Sequence, residues 1–154
     1  ETGAFTFVGY GSNYPAVYYA KAKTKEVLRW RSDLYQIEEF AHIETVAPSP
    51  GQYTVFLVNN CKKEQRVLEI LESASQMQRE LIIAAPCSLG EECRKALPLA
   101  KCVILPDVSE NILSILFYIV IQLLHYYTAL IKNIDPDNPP TRIFARGVAF
   151  NEDT

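Results

Sequence analysis

Three ionisable side chains in the first third of the sequence, Lys23, Glu26 and His42, are of types that together could move protons. A carboxylate can take a proton from carbon, and an imidazole exchanges protons with oxygen atoms near neutral pH. On a helix, Lys23 would lie one turn before Glu26 on the same face, where it could hold Glu26 ionised. Together the three residues could therefore carry out acid/base chemistry on a small molecule bound nearby.

Each of these residues also has an ordinary structural interpretation. A Lys–Glu pair three residues apart is more often a solvated ion pair on a helix surface than a catalytic pair. A single histidine such as His42 is more often structural. His125 lies inside an apolar run and is better interpreted as a core histidine with satisfied hydrogen bonds than as a ligand. Taken alone, the residues leave the chemical and structural interpretations open.

The segment that would position these residues begins with a strand and a glycine turn. Residues 5–8 are typical of a buried strand, residues 9–13 form a tight turn, and a helix begins near Tyr14. In α/β proteins such a turn and the following helix N-terminus make an anion site, so Gly11 and Ser12 are candidate binding residues. An acidic residue that would suit a dinucleotide is missing near Tyr35, and NAD is not expected.

The remaining sequence alternates strand-like and helix-like segments. Apolar, β-rich runs at 53–58, 80–85 and 102–105 end at turn formers or proline, and residues 62–77 have apolar side chains at a helical period. Residues 32–39 are interpreted as a polar stretch that leads into a helical turn. This alternation predicts an α/β three-layer sandwich, with a mainly parallel sheet of four or five strands and helices on both faces.

Length and composition restrict the class of protein. A chain of 154 residues with 49% hydrophobic and 21% charged residues suits one globular domain. The net charge of −3 and the absence of a Lys/Arg cluster give no reason to expect a nucleic-acid partner. Four cysteines without CxxC spacing and only two histidines argue against a zinc site, so we expect neither a metal nor a cofactor.

The expected domain bounds depend on the two ends of the chain, and the expected environment depends on one apolar helix. Residues 1–3 have the look of an expression-tag remnant, the domain is expected over 4–132, and 133–154 form a C-terminal tail. Residues 112–131 are long and apolar enough for a bilayer. Gln122 and His125 interrupt this run, and Ser109 provides an N-cap typical of soluble proteins. We therefore expect a helix buried in the domain or in a dimer, no membrane span, and a cytoplasmic protein.

Four stretches in this order resemble the sugar isomerase (SIS) domain family. They are residues 9–15, similar to its first turn; 20–26, with the Lys-x-x-Glu helix signature; 121–126, with a Gln-Leu-Leu motif; and 133–139, similar to its Asp-x-Asp-x-Pro tail. The best resemblance is to the second half of two-SIS proteins, such as the isomerase part of glucosamine-6-phosphate synthases and the fructosamine-phosphate deglycases. It covers the chain from residue 5 to about residue 148.

The resemblance implies a ligand, a partner and roles for individual residues. The ligand would be a phosphorylated hexose or amino sugar, and the partner a companion SIS domain or a second copy in a homodimer. Glu26 would be the base that moves a proton between C1 and C2, and His42 would assist ring opening. Gly11, Ser12, Lys23 and Arg146 would contact the substrate, Arg146 standing where the family has a tail lysine.

Departures from the family pattern leave two functions open. Tyr19 replaces a second glutamate, Ile43 follows His42 where Gly-Pro is usual, and Arg146 stays protonated where a lysine could exchange a proton. The Ser/Thr-rich phosphate loop is missing at residues 58–61, so phosphate contacts would come from a partner half. The chain is then half of a phosphosugar isomerase, deglycase or aminotransferase-type unit, or a non-catalytic sugar-phosphate sensor or assembly scaffold.

Overall fold

A computed structural model describes residues 3–46, 51–59, 64–77 and 80–137 of the chain. Within these ranges, five strands and five α-helices alternate along the sequence. In chain order they are β1 (Ala4–Gly9), α1 (Tyr14–Lys23), β2 (Arg31–Gln36), α2 (Ile37–Ile43), β3 (Tyr53–Leu57), α3 (Glu64–Ser75), β4 (Glu80–Pro86), α4 (Cys87–Ala96), β5 (Lys101–Leu105) and α5 (Glu110–Ile131).

The five strands form one parallel sheet in the order β2-β1-β3-β4-β5. The chain steps from β1 outward to β2 and then returns to place β3 on the other side of β1. The strand order thus reverses between β1 and β3. In open α/β sheets, ligands bind in the crevice outside the carboxyl ends of the strands at such a switch point.

Helices cover both faces of the sheet, as the sequence predicts. On one face α1 and α5 pack around a core that includes Phe7, Val17 and Phe117. On the other face α2, α3 and α4 pack around Phe40 and Leu71. Because strands alternate their side chains between faces, each strand contributes to both cores. The three-layer architecture is therefore confirmed.

Strand β2 corrects the sequence interpretation of residues 32–39 as a polar stretch. Residues 31–36 form an edge strand that pairs in parallel with β1 along its whole length. Its outer surface is polar: Arg31 Nε lies 3.4 Å from Asp33 Oδ2, and both side chains are exposed. Polar edges of this kind prevent further strand pairing, which explains why no apolar run marks β2. Helix α2 begins directly after it, with Gln36 as the N-cap of a capping box.

Helix α5 has one side buried in the core and one side exposed. Its length and hydropathy alone would suffice to cross a membrane. One side packs on the sheet through residues four positions apart, namely Leu113, Phe117, Ile121, His125 and Ala129. Six apolar residues on the outside are 47–62% exposed, and we call them the α5 stripe: Ile112, Ile115, Ile119, Leu123, Tyr126 and Leu130.

The end of α1 changes into a π-helical turn that spans Thr24–Leu28. Glu26 therefore lies in this π turn, whereas the sequence predicts it on the helix itself. Arg29 ends the turn in the left-handed region with φ 58°, and its guanidinium donates to the carbonyl of Asp135 at 2.9 Å. Trp30 follows, 5% exposed, with its ring 5.7 Å from that of Phe5. The segment after α5 is thus held against the π turn.

Candidate functional site

Lys23 and Glu26 form a close ion pair at the end of α1. Lys23 Nζ lies 2.7 Å from Glu26 Oε2, with 32% of the lysine side chain and 64% of the glutamate side chain exposed. The hydrogen bond to Glu26 raises the pKa of Lys23, and burial works in the opposite direction. A surface pair of this type contributes little to stability. Its position is more informative, because Lys23 borders a cavity.

A cavity of about 340 Å³ lies between the end of α1 and the C-terminal half of α5. Its polar lining comes from Tyr19, Lys23, Gln122 and His125, and the ring of Tyr126 adds an aromatic surface. Gln122 Nε2 donates to Tyr19 Oη at 3.2 Å, and Lys23 Nζ is 5.7 Å from the centre of the Tyr19 ring. A cation, an amide and aromatic rings suit a polar, negatively charged small molecule.

His125 lies beneath this cavity and links α5 to the π turn. Its Nε2 is 2.7 Å from Thr24 Oγ1, its Nδ1 is 2.7 Å from the Ile121 carbonyl oxygen, and the residue is 2% exposed. Burial lowers the pKa of His125, the Ile121 carbonyl opposes this effect, and the charge of Lys23 adds to it. His125 is therefore the satisfied core histidine that the sequence predicts. It also anchors the turn that carries Glu26.

His42 is far from Glu26 within one chain. It lies exposed near the end of α2, which packs on the sheet face opposite to α1. The two residues that the sequence predicts as a catalytic pair are not brought together in a single chain.

Gly11 and Ser12 lie at the carboxyl edge of the sheet, whereas Lys23 lies at the amino edge. Gly11 and Ser12 belong to a short 3₁₀ turn after β1, in which Gly11 has φ +56°. Ser12 Oγ donates to Glu110 Oε1 at 2.5 Å. The predicted substrate-binding residues therefore fall at two separate edges, and Arg146 lies outside the described residues.

Sequence reasoning missed several polar residues at both edges. Asn59 and Glu110 meet Ser12 at the carboxyl edge, and Gln122 meets Tyr19 at the cavity. The signal for Asn59 was its position directly after a strand, and the signal for Glu110 was its position as first residue of a helix. That these two residues meet Ser12 depends on the order of the strands in the sheet, which the sequence alone does not show.

No protein-family model matches the chain. The chain is 26% identical over 133 residues to glutamine--fructose-6-phosphate aminotransferase (isomerizing) of Haemophilus influenzae, an alignment that covers 86% of this chain and 21% of that protein. The chain thus spans about one fifth of the length of the curated relatives it matches.

Solved structures share the fold over most of the chain. The C-terminal domain of glucosamine-fructose-6-phosphate aminotransferase from Francisella tularensis matches with a TM-score of 0.76 and 21% identity, over 90% of this chain and 38% of that one. Tagatose-6-phosphate ketose/aldose isomerase from Escherichia coli matches with a TM-score of 0.70 and 15% identity, over 91% of this chain and 39% of that one. The Vibrio vulnificus NanR protein, complexed with ManNAc-6P, matches with a TM-score of 0.62 and 8% identity, over 83% of this chain and 49% of that one. The chain therefore has the fold of a sugar isomerase (SIS) domain, and its sequence is similar to about one fifth of the glutamine--fructose-6-phosphate aminotransferases.

Proposed function

We propose that this chain is one half of a phosphosugar-converting unit and that it binds a phosphorylated hexose or amino sugar at the Lys23 cavity. The observation that carries the proposal is the Lys23–Glu26 pair in an SIS fold, with Lys23 lining a cavity that has both polar and apolar walls. Lys23 supplies one positive charge that would attract a sugar phosphate. Gln122 and the tyrosine rings supply the hydrogen bonds and aromatic faces that sugar hydroxyls and ring carbons contact.

Glu26 is the proposed base of an aldose–ketose interconversion. Its carboxylate would take the proton from the carbon next to the carbonyl and return it to the neighbouring carbon. A second proton moves between the two oxygens, so the sugar changes neither composition nor oxidation state overall. Most of the Glu26 side chain is exposed, and its carboxylate oxygen lies 2.7 Å from Lys23 Nζ, a contact that a bound substrate would replace.

His42 would complete the site from another subunit or from a companion SIS domain. The sheet lies between His42 and Glu26, so one chain cannot present both residues to the same sugar. His42 is exposed and free to reach a neighbouring molecule. The α5 stripe supports such an association, because a large exposed apolar surface marks an interaction site. The relatives also contain sequence well beyond the matched region.

The proposal treats the other predicted substrate contacts, Arg146, Gly11 and Ser12, differently from Lys23. Arg146 stays a predicted substrate contact from the tail. Gly11 and Ser12 would serve a ligand only at the carboxyl edge, away from Lys23. We propose that the companion provides the main phosphate contacts, and that the assembled unit acts in the cytoplasm.

Substitution of Glu26 in the full-length protein tests the catalytic role. Exchange of the C1 or C2 proton of a hexose phosphate with deuterated solvent is followed by NMR, and binding is followed by calorimetry. Glu26→Gln is expected to lower the exchange rate about 100-fold or more while sparing binding, because it removes the base but keeps the side-chain shape. Glu91→Gln is the matched control, since Glu91 forms a similar surface pair with Arg94 at 3.1 Å.

Three outcomes would count against parts of the proposal. Unchanged exchange in Glu26→Gln would exclude Glu26 as the base. Binding without exchange in the unsubstituted full-length protein would identify a non-catalytic sensor or scaffold. Failure to bind any hexose phosphate would exclude the sugar-phosphate site itself.

A further inference from the structure

The switch-point crevice between β1 and β3 already contains a negatively charged group. Glu110, the first residue of α5, reaches into the turn that follows β1. Its Oε1 accepts hydrogen bonds from Ser12 Oγ at 2.5 Å and from Asn59 Nδ2 at 2.8 Å. The same oxygen lies 3.8 Å from the place that a Cβ on Gly11 would take. The carboxylate is thus seated directly against the glycine turn.

The surroundings of this carboxylate are those of an anion site. A glycine turn with a left-handed residue leads into the N-terminus of α1, where helix dipoles favour negative charge. Among residues 3–46, 51–59, 64–77 and 80–137, Glu110 forms no ion pair with a lysine or arginine. Neutral donors hold it, as they hold phosphate in glycine-turn sites. Ser114 Oγ lies within hydrogen-bond distance of two carbonyl oxygens, that of Ser12 at 3.3 Å and that of Glu110 at 3.0 Å, and so holds the start of α5 close to the turn.

Asn59 gives a second, independent sign of a binding position. The residue is 2% exposed, and its Oδ1 has no hydrogen-bond partner within the part of the chain that the structure describes. Its Nδ2 lies within hydrogen-bond distance of both Glu110 Oε1 and Ser12 Oγ, at 2.8 and 3.3 Å. An unpaired buried acceptor is costly, so the amide orientation must be favoured by what the NH₂ group donates to. The amide is therefore oriented toward an anion, at the expense of its own oxygen.

We infer that Glu110 is a built-in ligand, whose carboxylate occupies the position at which this crevice would otherwise bind the phosphate group of a small molecule. A second anion would meet like charge and find the Ser12 and Asn59 donors already engaged. The crevice at the carboxyl edge is therefore closed to sugar phosphates in this chain. Their binding is left to the Lys23 cavity at the other edge and to the companion domain.

This inference does not depend on the proposed function, because its test uses inorganic phosphate and no sugar. The melting temperature of the chain is measured at increasing phosphate and at matched ionic strength in sodium chloride, to separate binding from the general effect of salts. The unsubstituted chain is expected to show no saturable response. Glu110→Ala empties the position and is expected to show a saturable rise of roughly 3–6 °C at about ten times the dissociation constant.

Two further variants locate the effect. Glu92→Ala removes the same charge from an exposed position on α4 and is expected to behave like the unsubstituted chain. Adding Ser12→Ala to Glu110→Ala is expected to abolish the saturable response. Glu110→Ser is tested in parallel in case Glu110→Ala does not fold without phosphate; folding restored by phosphate would support the inference. Absence of a saturable phosphate response in both Glu110 variants, or an equal response in the unsubstituted chain, would overturn it.

Discussion

Among the individual residues, His125 has the most direct consequence for behaviour in solution. Both ring nitrogens are engaged, with Thr24 and with the Ile121 carbonyl, and the ring is almost fully buried. Burial is the main reason that its pKa is lowered in the folded chain. The unfolded chain therefore takes up a proton at His125 more readily than the folded chain does.

Proton linkage at His125 predicts a loss of stability in mildly acidic solution. Because the folded pKa lies below the ordinary value of about 6.5, the contribution is fully present above that value and is lost as the pH falls toward the folded pKa. The free energy of unfolding in urea is measured from pH 7.5 to 5 for two variants. His42→Gln keeps His125 as the only histidine and should lose stability over this range, more than His125→Gln does. Equal pH dependence of the two would contradict the prediction.

The two polar clusters differ in how far single residues reveal them. Lys23 and Glu26 are three positions apart, so local helix geometry is enough to predict their pairing. Ser12 and Glu110 are 98 positions apart, and Asn59 and Glu110 are 51 apart. Contacts at such separations depend on strand order and helix direction. The sequence predicts the ingredients of the carboxyl-edge crevice, but only the fold shows that a carboxylate fills it.

At the level of elements, α5 supplies the core with one side chain per turn, which predicts a sharp contrast between its two sides. Phe117 is fully buried against the sheet, whereas Leu123 in the α5 stripe is 49% exposed. Phe117→Ala is expected to lower the free energy of unfolding by about 3–5 kcal/mol, because it leaves a cavity in the core. Leu123→Ala should cost less than about 1 kcal/mol. Urea denaturation measures both, and similar costs would mean that the packing of α5 differs from that described.

Strand prediction succeeded where the sequence is an apolar run and failed where it is polar. β1, β3 and β4 are covered by helices on both faces, so their sequences are continuous apolar runs that are easily recognised. β2 is an edge strand with a polar outer surface, and its sequence resembles a loop. The π turn was also missed, because no residue type marks the change from α to π geometry at Thr24.

At the scale of the whole molecule, two features predict a functional unit of two domains: the α5 stripe and the separation of Glu26 from His42. Ile119→Glu combined with Leu123→Glu is expected to prevent self-association, because burying charges without partners is costly. The fold should be retained, since both side chains are about half exposed. Sedimentation velocity over a range of concentrations measures the association.

A matched variant separates the stripe from the rest of the surface. Tyr18→Glu changes a 67% exposed residue on α1 that lies outside the stripe, and it should leave association unchanged. A monomeric unsubstituted chain at all concentrations would exclude a homodimer through α5. A companion SIS domain would then be the remaining proposed partner of the stripe.

The position of Trp30 gives the π turn an optical signal of its own. It is the one tryptophan in the sequence, it follows the turn directly, and it rests on the ring of Phe5 in a nearly dry environment. The emission of an indole shifts to longer wavelength when water reaches it. Any ligand that rearranges the turn beside Lys23 would therefore change the fluorescence of the whole protein without an added label. Occupancy of the cavity and unfolding of the domain can be followed with the same native chromophore.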